Sequence, residues 1–510
     1  MGAKEQRTIE IMDTTLRDGE QTSGVSFSAT EKLTLAQLLI EELKVDRIEI
    51  ASARVSQGEF DAVKQITEWA KTNNYLNRIE ILTFVDKGVS IEWMKKAGAK
   101  VQNLLTKGSL NHLTYQLKQS PEEHFTQIEK TITLAQNNGI TTNVYLEDWS
   151  NGMRNSPEYV FAFLDFLSTQ PLKRVLLPDT LGVLTPSETF SFLSEIVERY
   201  PTIAFDFHGH NDYDLGVSNA MEAVRAGVNG LHLTVNGMGE RAGNAPLASV
   251  VAVVNDFIPE VNTNIKEKSL YKVSQLVATF TGFRIPANKP IVGANVFTQT
   301  AGIHADGDSK KNLYFNDLLP ERFGRKRSYA LGKTSGKANI IKNLQELGLT
   351  LNEEDLKKVT QRIIELGDKK QKVTTYDLPY IISDVLHSKT QEQHVHIKSY
   401  VLTHSKGLQP STTVAVEING ELVEENASGD GQFDAFLNAI SKIYKKKKKE
   451  LPQLIDYAVH IPPGSHSDAL CETSITWIKE GKEFVTRGLD SDQTVSAIKA
   501  TEKMLNSIER

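Results

Sequence analysis

The sequence predicts an α/β protein that begins with a closed (β/α)8 barrel, the TIM barrel architecture. Short apolar, β-branched segments recur through about the first 270 residues, and stretches with helical periodicity separate them. The segments begin about 25 to 40 residues apart, which is the length of one strand plus one return helix. Eight such units favour a closed barrel over an open doubly wound sheet. A dinucleotide-binding sheet is also disfavoured, because no G-x-G-x-x-G motif follows an early strand.

Polar side chains follow nearly every predicted strand. The strand segments are TIEIMDTT (8–15), RIEIAS (47–52), RIEILTF (78–84), NLLTKG (103–108), TNVYLED (142–148), RVLLPDT (174–180), IAFDFHGH (203–210) and GLHLTVNG (230–237). The polar residues at their carboxyl ends are Asp13, Arg17, Asp18, Glu49, Arg54, Tyr145, Glu147, Asp179, Thr180, His208, His210 and Asn236. A barrel brings all these ends to one rim, so we expect the active site there.

The chain changes character beyond about residue 275. An irregular arm rich in Gly, Asn and Pro is followed by amphipathic segments that predict a small helical subdomain. The last part is β-rich and duplicated, and each copy has two strands, a Gly/Asp loop and a helix. We therefore expect a catalytic barrel at 1–275, a linker arm with helical subdomain at 276–390, and an α+β regulatory domain of two ββα modules at 391–510. Such a duplicated module is more typical of a ligand-sensing dimer than of a second catalytic unit.

Composition and charge exclude several classes of function. The 510 residues carry a net charge of −6, so no overall field attracts nucleic acid or an anionic membrane. The basic run Lys445–Lys449 is best interpreted as the solvated end of a helix. No apolar run reaches the roughly 18 residues of a membrane span, and the first residues lack a signal-peptide core. With a single cysteine, Cys471, the sequence predicts a cytoplasmic protein without disulfides.

Two histidines in the seventh predicted strand form the start of a metal site. His208 and His210 are two residues apart, so both side chains face the same side of a strand. Asp18 follows the first strand and Asn244 follows the eighth, and these strands are contiguous with the seventh in a closed barrel. Mixed nitrogen and oxygen ligands suit Mn²⁺, Mg²⁺ or Zn²⁺. For the two histidines alone, hydrogen-bonded strand-end residues are the favoured interpretation, but the added aspartate and asparagine reverse this preference and favour the metal site.

Three motifs carry a specific resemblance. DTTLRDGEQTSGVSFS, HGHNDYDLGVSNAMEAVRAGV and NGMGERAGN resemble the α-isopropylmalate synthase, citramalate synthase and homocitrate synthase family, whose members are metal-dependent acyltransferases built on this barrel. GIHADG in the arm extends the resemblance, and the duplicated module resembles the amino-acid-binding regulatory domain of the family. Nearly the whole chain is covered, and the likeness is greatest to the bacterial citramalate synthases.

The resemblance implies roles for individual residues. It makes Asp18, His208 and His210 metal ligands, with Asn244 as the fourth, and it places Arg17 beside the substrate ketone. Substrate-binding positions implied in the barrel are Arg17, Leu82, Leu105, Tyr145, Glu147 and Thr180. From the arm, His304, Asp306, Asn312 and Tyr314 would reach the site, and they would come from the partner subunit of a homodimer.

The reaction implied by the resemblance is a Claisen-type condensation. Acetyl-CoA adds to the ketone of a 2-oxo acid, and the thioester is then hydrolysed. Arg17, Glu147 and His304 are the expected catalytic residues, with Glu147, His304 or both as the base that removes the methyl proton. Structural alternatives stay open: Glu147 as a carboxylate that orients Arg17, His304 as a loop residue, and Thr180 as the cap of the next helix.

Three positions address the choice of 2-oxo acid. Leu82, Leu105 and Tyr145 match the positions that contact the end group in the citramalate-forming members. Two bulky aliphatic side chains and an aromatic ring leave room for the methyl of pyruvate and crowd the isopropyl of 2-oxoisovalerate. Because apolar pockets discriminate by only about 1 to 3 kcal/mol per methylene, overlapping activity is expected. The alternative is that the leucines belong to the barrel core.

The sequence therefore predicts a citramalate synthase that serves isoleucine biosynthesis, with 2-isopropylmalate synthase and leucine as the alternative. A metal-dependent lyase on the same barrel would not need the duplicated module, and a non-catalytic amino-acid sensor would not need an intact set of metal ligands. A branched-chain amino acid is expected to bind the last domain through the loops SGDGQFDA and HIPPGSHSDA.

Overall fold

The computed structural model describes residues 6–308, 313, 316–368, 373–386, 394–460 and 471–509. The chain forms two compact units. The first unit comprises Met1–Phe297 with Phe315–Arg327, and the second comprises Thr298–Tyr314 with Ser328–Arg510. Each unit is described on its own below.

The first unit is built on a closed barrel of eight parallel strands, which confirms the predicted fold. The strands are β1 Glu10–Asp13, β2 Arg47–Ser52, β3 Ile79–Phe84, β4 Val101–Lys107, β5 Thr141–Glu147, β6 Arg174–Asp179, β7 Ala204–Gly209 and β8 Gly230–Leu233. Neighbours in sequence are neighbours in the barrel, and β8 pairs with β1 through Glu10↔Gly230 and Asp13↔Leu233. The barrel therefore brings the loops after β1, β7 and β8 together.

Eight main helices follow the strands. They are α1 Ala29–Gln37, α2 Gln57–Thr72, α3 Val89–Ala97, α4 Pro121–Asn137, α5 Pro157–Leu167, α6 Pro186–Arg199, α7 Gly216–Ala226 and α8 Leu247–Phe257. Ser28, Ser120 and Thr185 begin α1, α4 and α6 with reciprocal capping boxes, so local sequence fixes where these helices start. Shorter helical segments lie at Leu38–Leu43, Leu110–His112, Leu113–Leu117 and Trp149–Asn155, and α9 Leu270–Thr281 follows the barrel. In the described part of the chain, no helix combines the length and apolarity that crossing a membrane requires.

Paired charges fill the barrel interior near the amino ends of the strands. Arg47 on β2 contacts Glu10 at 3.0 Å, Glu80 at 2.9 Å and Asp206. Arg174 on β6 lies 3.1 Å from the other oxygen of Asp206 and 2.5 Å from Glu10. Burial by itself raises the pKa of Asp206, but the guanidinium groups and His232 hold it well below its usual range. This end of the barrel is therefore occupied by a buried ionic cluster.

The second unit contains a helical part and a duplicated part. The helices of the first part are α10 Gly302–Asp308, α11 Lys337–Glu346, α12 Glu353–Asp368 and α13 Leu378–Leu386. Apolar side chains from α11, α12 and α13, among them Ile340, Val359 and Leu378, form its core. The amphipathic segments predicted after the arm are therefore helices, as expected.

The duplicated part has two copies of an antiparallel sheet followed by a helix. The first copy is β9 Val395–Thr403, β10 Ser411–Ile418, β11 Glu421–Ser428 and α14 Gln432–Lys446, and the second is β12 Gln453–His460, β13 Cys471–Lys479, β14 Lys482–Asp490 and α15 Gln493–Ile508. The duplication is as predicted, but each copy has three strands instead of two. In each copy the additional strand comes first in the chain and pairs with the first of the two predicted strands. It lies outside the repeated pattern of turn and loop, so that pattern does not reveal it.

Arg47→Met should strongly destabilise the barrel. The substitution leaves Glu80 buried without its cation and leaves Asp206 with Arg174 as its only guanidinium partner, which costs about 3 to 5 kcal/mol. Urea unfolding followed by tryptophan fluorescence reports mainly on the barrel, which holds Trp69, Trp93 and Trp149. Lys272→Met is the control: it breaks the exposed 2.7 Å pair with Glu42, and such surface pairs contribute about 0 to 1 kcal/mol. Equal unfolding midpoints for the two variants would contradict a structural role of the cluster.

Candidate active site

The loop after β1 and the carboxyl end of β7 bring one carboxylate and two imidazoles together at the carboxyl rim of the barrel. Asp18 Oδ2 lies 3.3 Å from His208 Nε2 and 4.0 Å from His210 Nε2. All three side chains are buried, and one potential ligand atom from each lies within 4.8 Å of the other two. The structure thus assembles the three residues that the sequence proposed as metal ligands.

The electrostatics of this triad favour a bound cation. Burial alone raises the pKa of Asp18, but Arg17 and His208 hold it well below its usual range, so the carboxylate is ionised. Burial, together with the neighbouring His208, lowers the pKa of His210 to about 4, so this imidazole is neutral at pH 7. A neutral imidazole and an ionised carboxylate are the forms that coordinate metals.

Asn244 lies beside the triad as predicted. Its backbone pairs with that of His210, and its Nδ2 donates to the carbonyl of Met238 over 3.0 Å. Within the described residues, neither Asn244 Oδ1 nor Asp18 Oδ1 has a hydrogen-bond partner, although both are buried. A Cβ at Gly239 would lie 2.2 Å from Asn244 Nδ2 and 3.2 Å from Asp18 Oδ1, so only glycine leaves space at this point. Two imidazole nitrogens and two oxygens without partners fit a divalent cation.

Arg17 is fixed by two carboxylates. Its Nε donates to Glu49 Oε2 over 2.6 Å, and its Nη1 lies 3.1 Å from Asp18 Oδ2. Glu49 on β2 is fully buried and also accepts from Thr14 Oγ1 and Asn103 Nδ2, each over 2.8 Å. Sequence reasoning listed Glu49 among the polar residues of the rim but did not predict its pairing with Arg17, although a carboxylate inside the apolar segment RIEIAS is a signal of a buried partner.

Glu147 and Thr180 have partners that the sequence did not reveal. Glu147, the last residue of β5, forms an ion pair with Lys107, the last residue of β4. The structural alternative for Glu147, as the carboxylate that orients Arg17, is therefore not what the structure shows, since Glu49 has that position. Thr180 Oγ1 accepts from the backbone amide of Asp148 over 2.9 Å, and the next helix is capped by Thr185 instead.

The three residues proposed to contact the substrate end group pack together beside the triad. Leu82, Leu105 and Tyr145 form a small apolar cluster with Leu176, a fourth member that the sequence did not single out. Leu176 is the cross-strand partner of Tyr145 on β6. The ring centroid of Tyr145 is 6.1 Å from that of His208 and 6.0 Å from the Arg17 guanidinium carbon. Tyr145 therefore places this cluster next to the triad, while contact of Leu82 and Leu105 with a substrate stays a prediction.

A buried lysine supports the loop that carries Arg17 and Asp18. Lys32 Nζ on α1 donates to the carbonyl of Leu16 over 3.0 Å and forms 2.6 Å ion pairs with Glu20 and Glu59. This role could not be predicted from the sequence, because a lysine in an amphipathic helix normally points to solvent.

The residues proposed in the arm belong to the second unit. His304 and Asp306 lie on α10. Asn312 and Tyr314 are outside the described residues, as is most of the segment HIPPGSHSDA. The segment SGDGQFDA is described and runs from the end of β11 into α14.

Comparison with known proteins decides the family. The HMGL-like family model matches residues 8–277, more than half of the chain. The chain belongs to this family. A homocitrate synthase post-HMGL domain-like model matches residues 291–371, and a LeuA allosteric (dimerisation) domain model matches residues 372–509. The chain is thus an acyl-CoA-dependent condensing synthase of the α-isopropylmalate and homocitrate synthase type, acting on acetyl-CoA and a 2-oxo acid.

Curated relatives carry two different substrate names at equal similarity. The (R)-citramalate synthase CimA of Methanocaldococcus jannaschii is 32% identical over 504 residues, which is 98% of this chain and 99% of that protein. The 2-isopropylmalate synthase of the same organism is also 32% identical, over 98% of this chain and 94% of that protein. An HMG-CoA lyase from Brucella melitensis is 18% identical, with a TM-score of 0.45, over 54% of this chain and 99% of that one. Overall sequence identity therefore does not distinguish between the two 2-oxo acids, and the choice depends on the residues of the site.

Asp18→Asn should weaken Mn²⁺ binding about tenfold or more, because it removes the single anionic ligand of the triad. Plasma mass spectrometry measures the metal retained after dialysis, and a manganese titration followed by electron paramagnetic resonance gives the affinity. Neither measurement depends on an activity assay. Asp61→Asn is the matched control, since Asp61 is exposed and accepts a hydrogen bond from Gln57 in its own helix. Equal manganese affinity in the two variants would remove Asp18 from the ligand set.

Proposed function

We propose that this chain is a citramalate synthase, which condenses acetyl-CoA with pyruvate and hydrolyses the thioester to give (R)-citramalate and CoA. The observation that carries the proposal is the apolar cluster of Leu82, Leu105, Tyr145 and Leu176 next to the Asp18–His208–His210 triad. A 2-oxo acid whose ketone lies at the triad directs its end group toward this cluster. Bulky side chains there suit the small methyl of pyruvate.

The residues at the mouth supply the chemistry of ketone activation. Asp18, His208, His210 and Asn244 would hold Mn²⁺, Mg²⁺ or Zn²⁺, and such a cation polarises a ketone as a Lewis acid. Arg17 contributes a fixed cationic donor for the negative charge that develops on the ketone oxygen. Its two carboxylate partners raise the pKa of Arg17 further, against the effect of burial, so the donor is always charged.

The base that removes a proton from the acetyl methyl group is assigned to Glu147, His304 or the two in relay. Glu147 is at the carboxyl end of β5 and is held by Lys107, which fixes the direction of its carboxylate. His304, Asp306, Asn312 and Tyr314 complete the site from the partner subunit of a homodimer. This assignment is supported by the match of residues 372–509 to a dimerisation domain.

The duplicated domain is proposed to bind isoleucine as a feedback effector. Support comes from the match of this part of the chain to an allosteric domain. Addition of isoleucine to the full-length enzyme should lower the rate of CoA release more than addition of leucine at the same concentration. Stronger inhibition by leucine would favour the alternative, a 2-isopropylmalate synthase, which the relative of that name supports.

Release of free CoA from acetyl-CoA, measured with pyruvate, 2-oxobutanoate and 2-oxoisovalerate, tests the proposed substrate. The expected order of catalytic efficiency, kcat/KM, is pyruvate first and 2-oxoisovalerate last, and chelation of the metal should abolish all three activities. A catalytic efficiency that is higher with 2-oxoisovalerate than with pyruvate would identify a 2-isopropylmalate synthase instead.

Leu82→Ala should raise the catalytic efficiency with 2-oxoisovalerate relative to pyruvate about tenfold, because the shorter side chain admits the branched end group. The same CoA-release assay measures the ratio. Leu193→Ala is the control, since this buried leucine lies on the outer helix α6 and its loss affects stability alone. An unchanged ratio in Leu82→Ala would place Leu82 outside the substrate pocket.

A further inference from the structure

A chain of buried hydrogen bonds connects the apolar cluster at the mouth to the ionic cluster at the other end of the barrel. Tyr145 Oη and His232 Nδ1 are 2.8 Å apart. On the other side of the same ring, His232 Nε2 is 3.2 Å from Asp206 Oδ2. His232 lies on β8 and is buried, as are Tyr145 and Asp206. No step of the proposed mechanism uses His232, so this arrangement needs an explanation of its own.

The charges around Asp206 determine which nitrogen of His232 carries the proton. Asp206 is ionised, because Arg47 and Arg174 contact its two oxygens. An ionised carboxylate accepts only, so His232 Nε2 must carry an N–H group that donates to Asp206. In the neutral imidazole the other nitrogen, His232 Nδ1, is then an acceptor.

The direction of the Tyr145 hydrogen bond follows from this tautomer. Because Nδ1 accepts, the Tyr145 hydroxyl must donate to it, and its only proton is committed to His232. The hydroxyl therefore has no donor left for a substrate, and the rest of the ring is held against Leu82, Leu105 and Leu176.

A glycine in the backbone leaves room for this series of hydrogen bonds. A Cβ at residue 230 would lie 2.5 Å from Asp206 Oδ1, so Gly230 on β8 allows the carboxylate to sit between β7 and β8. Hydrogen bonds thus connect the ionic cluster, His232 and Tyr145. They fix the position of Tyr145 from the side of the ionic cluster.

We propose that His232 is a positioning residue for substrate selection. His232 is held by Asp206 and fixes the ring and the hydroxyl of Tyr145. The fixed Tyr145 sets the size and polarity of the surface that meets the end group of the 2-oxo acid. The inference rests on the proposed function, in which Tyr145 contacts that group. The fixed ring presents carbon atoms to the end group and no hydrogen-bond donor. The surface therefore accepts a methyl group and gives no partner to a distal carboxylate.

The test is a double-mutant cycle on substrate preference, measured as the ratio of catalytic efficiency with 2-oxobutanoate to that with pyruvate. Tyr145→Phe removes only the hydroxyl, and His232→Leu removes its acceptor. Each should raise the ratio by about threefold to tenfold, because the ring can then move. The double variant should show no larger change than either single variant, since both break the same contact. His232→Gln, which can donate and accept, should keep the ratio closer to that of the unmodified protein.

The control is Tyr200→Phe, which removes a buried hydroxyl that donates to Asp165 over 2.6 Å on the outer helices. It should leave the ratio unchanged, because general loss of stability lowers both activities alike. If His232→Leu does not fold, Tyr145→Phe decides the question alone. A Tyr145→Phe ratio within twofold of the unmodified protein, or single effects that multiply in the double variant, overturns the proposal. A preference of the unmodified protein for 2-oxoisovalerate overturns the proposed function instead, and the change of ratio still decides the role of His232.

Discussion

The position of the Arg17 guanidinium between two buried carboxylates is the interaction on which the site depends. Asp18 and Glu49 share this cation, which keeps the charges of both buried carboxylates compensated. An isolated buried carboxylate would take up a proton and lose its value as a metal ligand. Arg17 prevents this for Asp18 and is itself immobilised, so a single residue maintains the charge of a ligand and offers a fixed donor to the substrate. Lys32 supports the same loop through the carbonyl of Leu16, and Glu49 ties it to β2.

The two ends of the barrel interior have different roles but are not independent. Near the amino ends of the strands, Arg47 and Arg174 neutralise the acidic side chains and stabilise the closed barrel. Near the carboxyl ends, Asp18 Oδ1 and Asn244 Oδ1 are buried next to each other without hydrogen-bond partners among the described residues. Buried polar atoms without partners destabilise a fold, so their presence at the rim is explained by a ligand that completes them. His232 joins the two ends, which means that changes in the ionic cluster can alter the mouth without contact with substrate.

Much of the fold and part of the site could be predicted from the sequence, and the limit has a physical reason. The spacing of apolar segments gives the barrel, and the two-residue period of a strand places His208 and His210 on one side. Closure of the barrel then brings Asp18 and Asn244 beside them. Pairings such as Arg17 with Glu49, Glu147 with Lys107 and Tyr145 with His232 depend on side-chain directions and strand stagger, which spacing does not encode. The third strand of each duplicated module escapes prediction for a related reason, since it lies outside the repeated turn and loop pattern. The packing of Leu82 and Leu105 against Tyr145 could be expected only from family resemblance.

Anomalous diffraction at the manganese absorption edge, from crystals of active protein grown with Mn²⁺, is the most direct test of a cation at the barrel mouth. We predict one strong peak within bonding distance of the Asp18 carboxylate and of the imidazoles of His208 and His210, which remains after excess metal is washed out. Crystals of protein that retains its CoA-releasing activity but shows no peak among these three side chains would contradict the central claim.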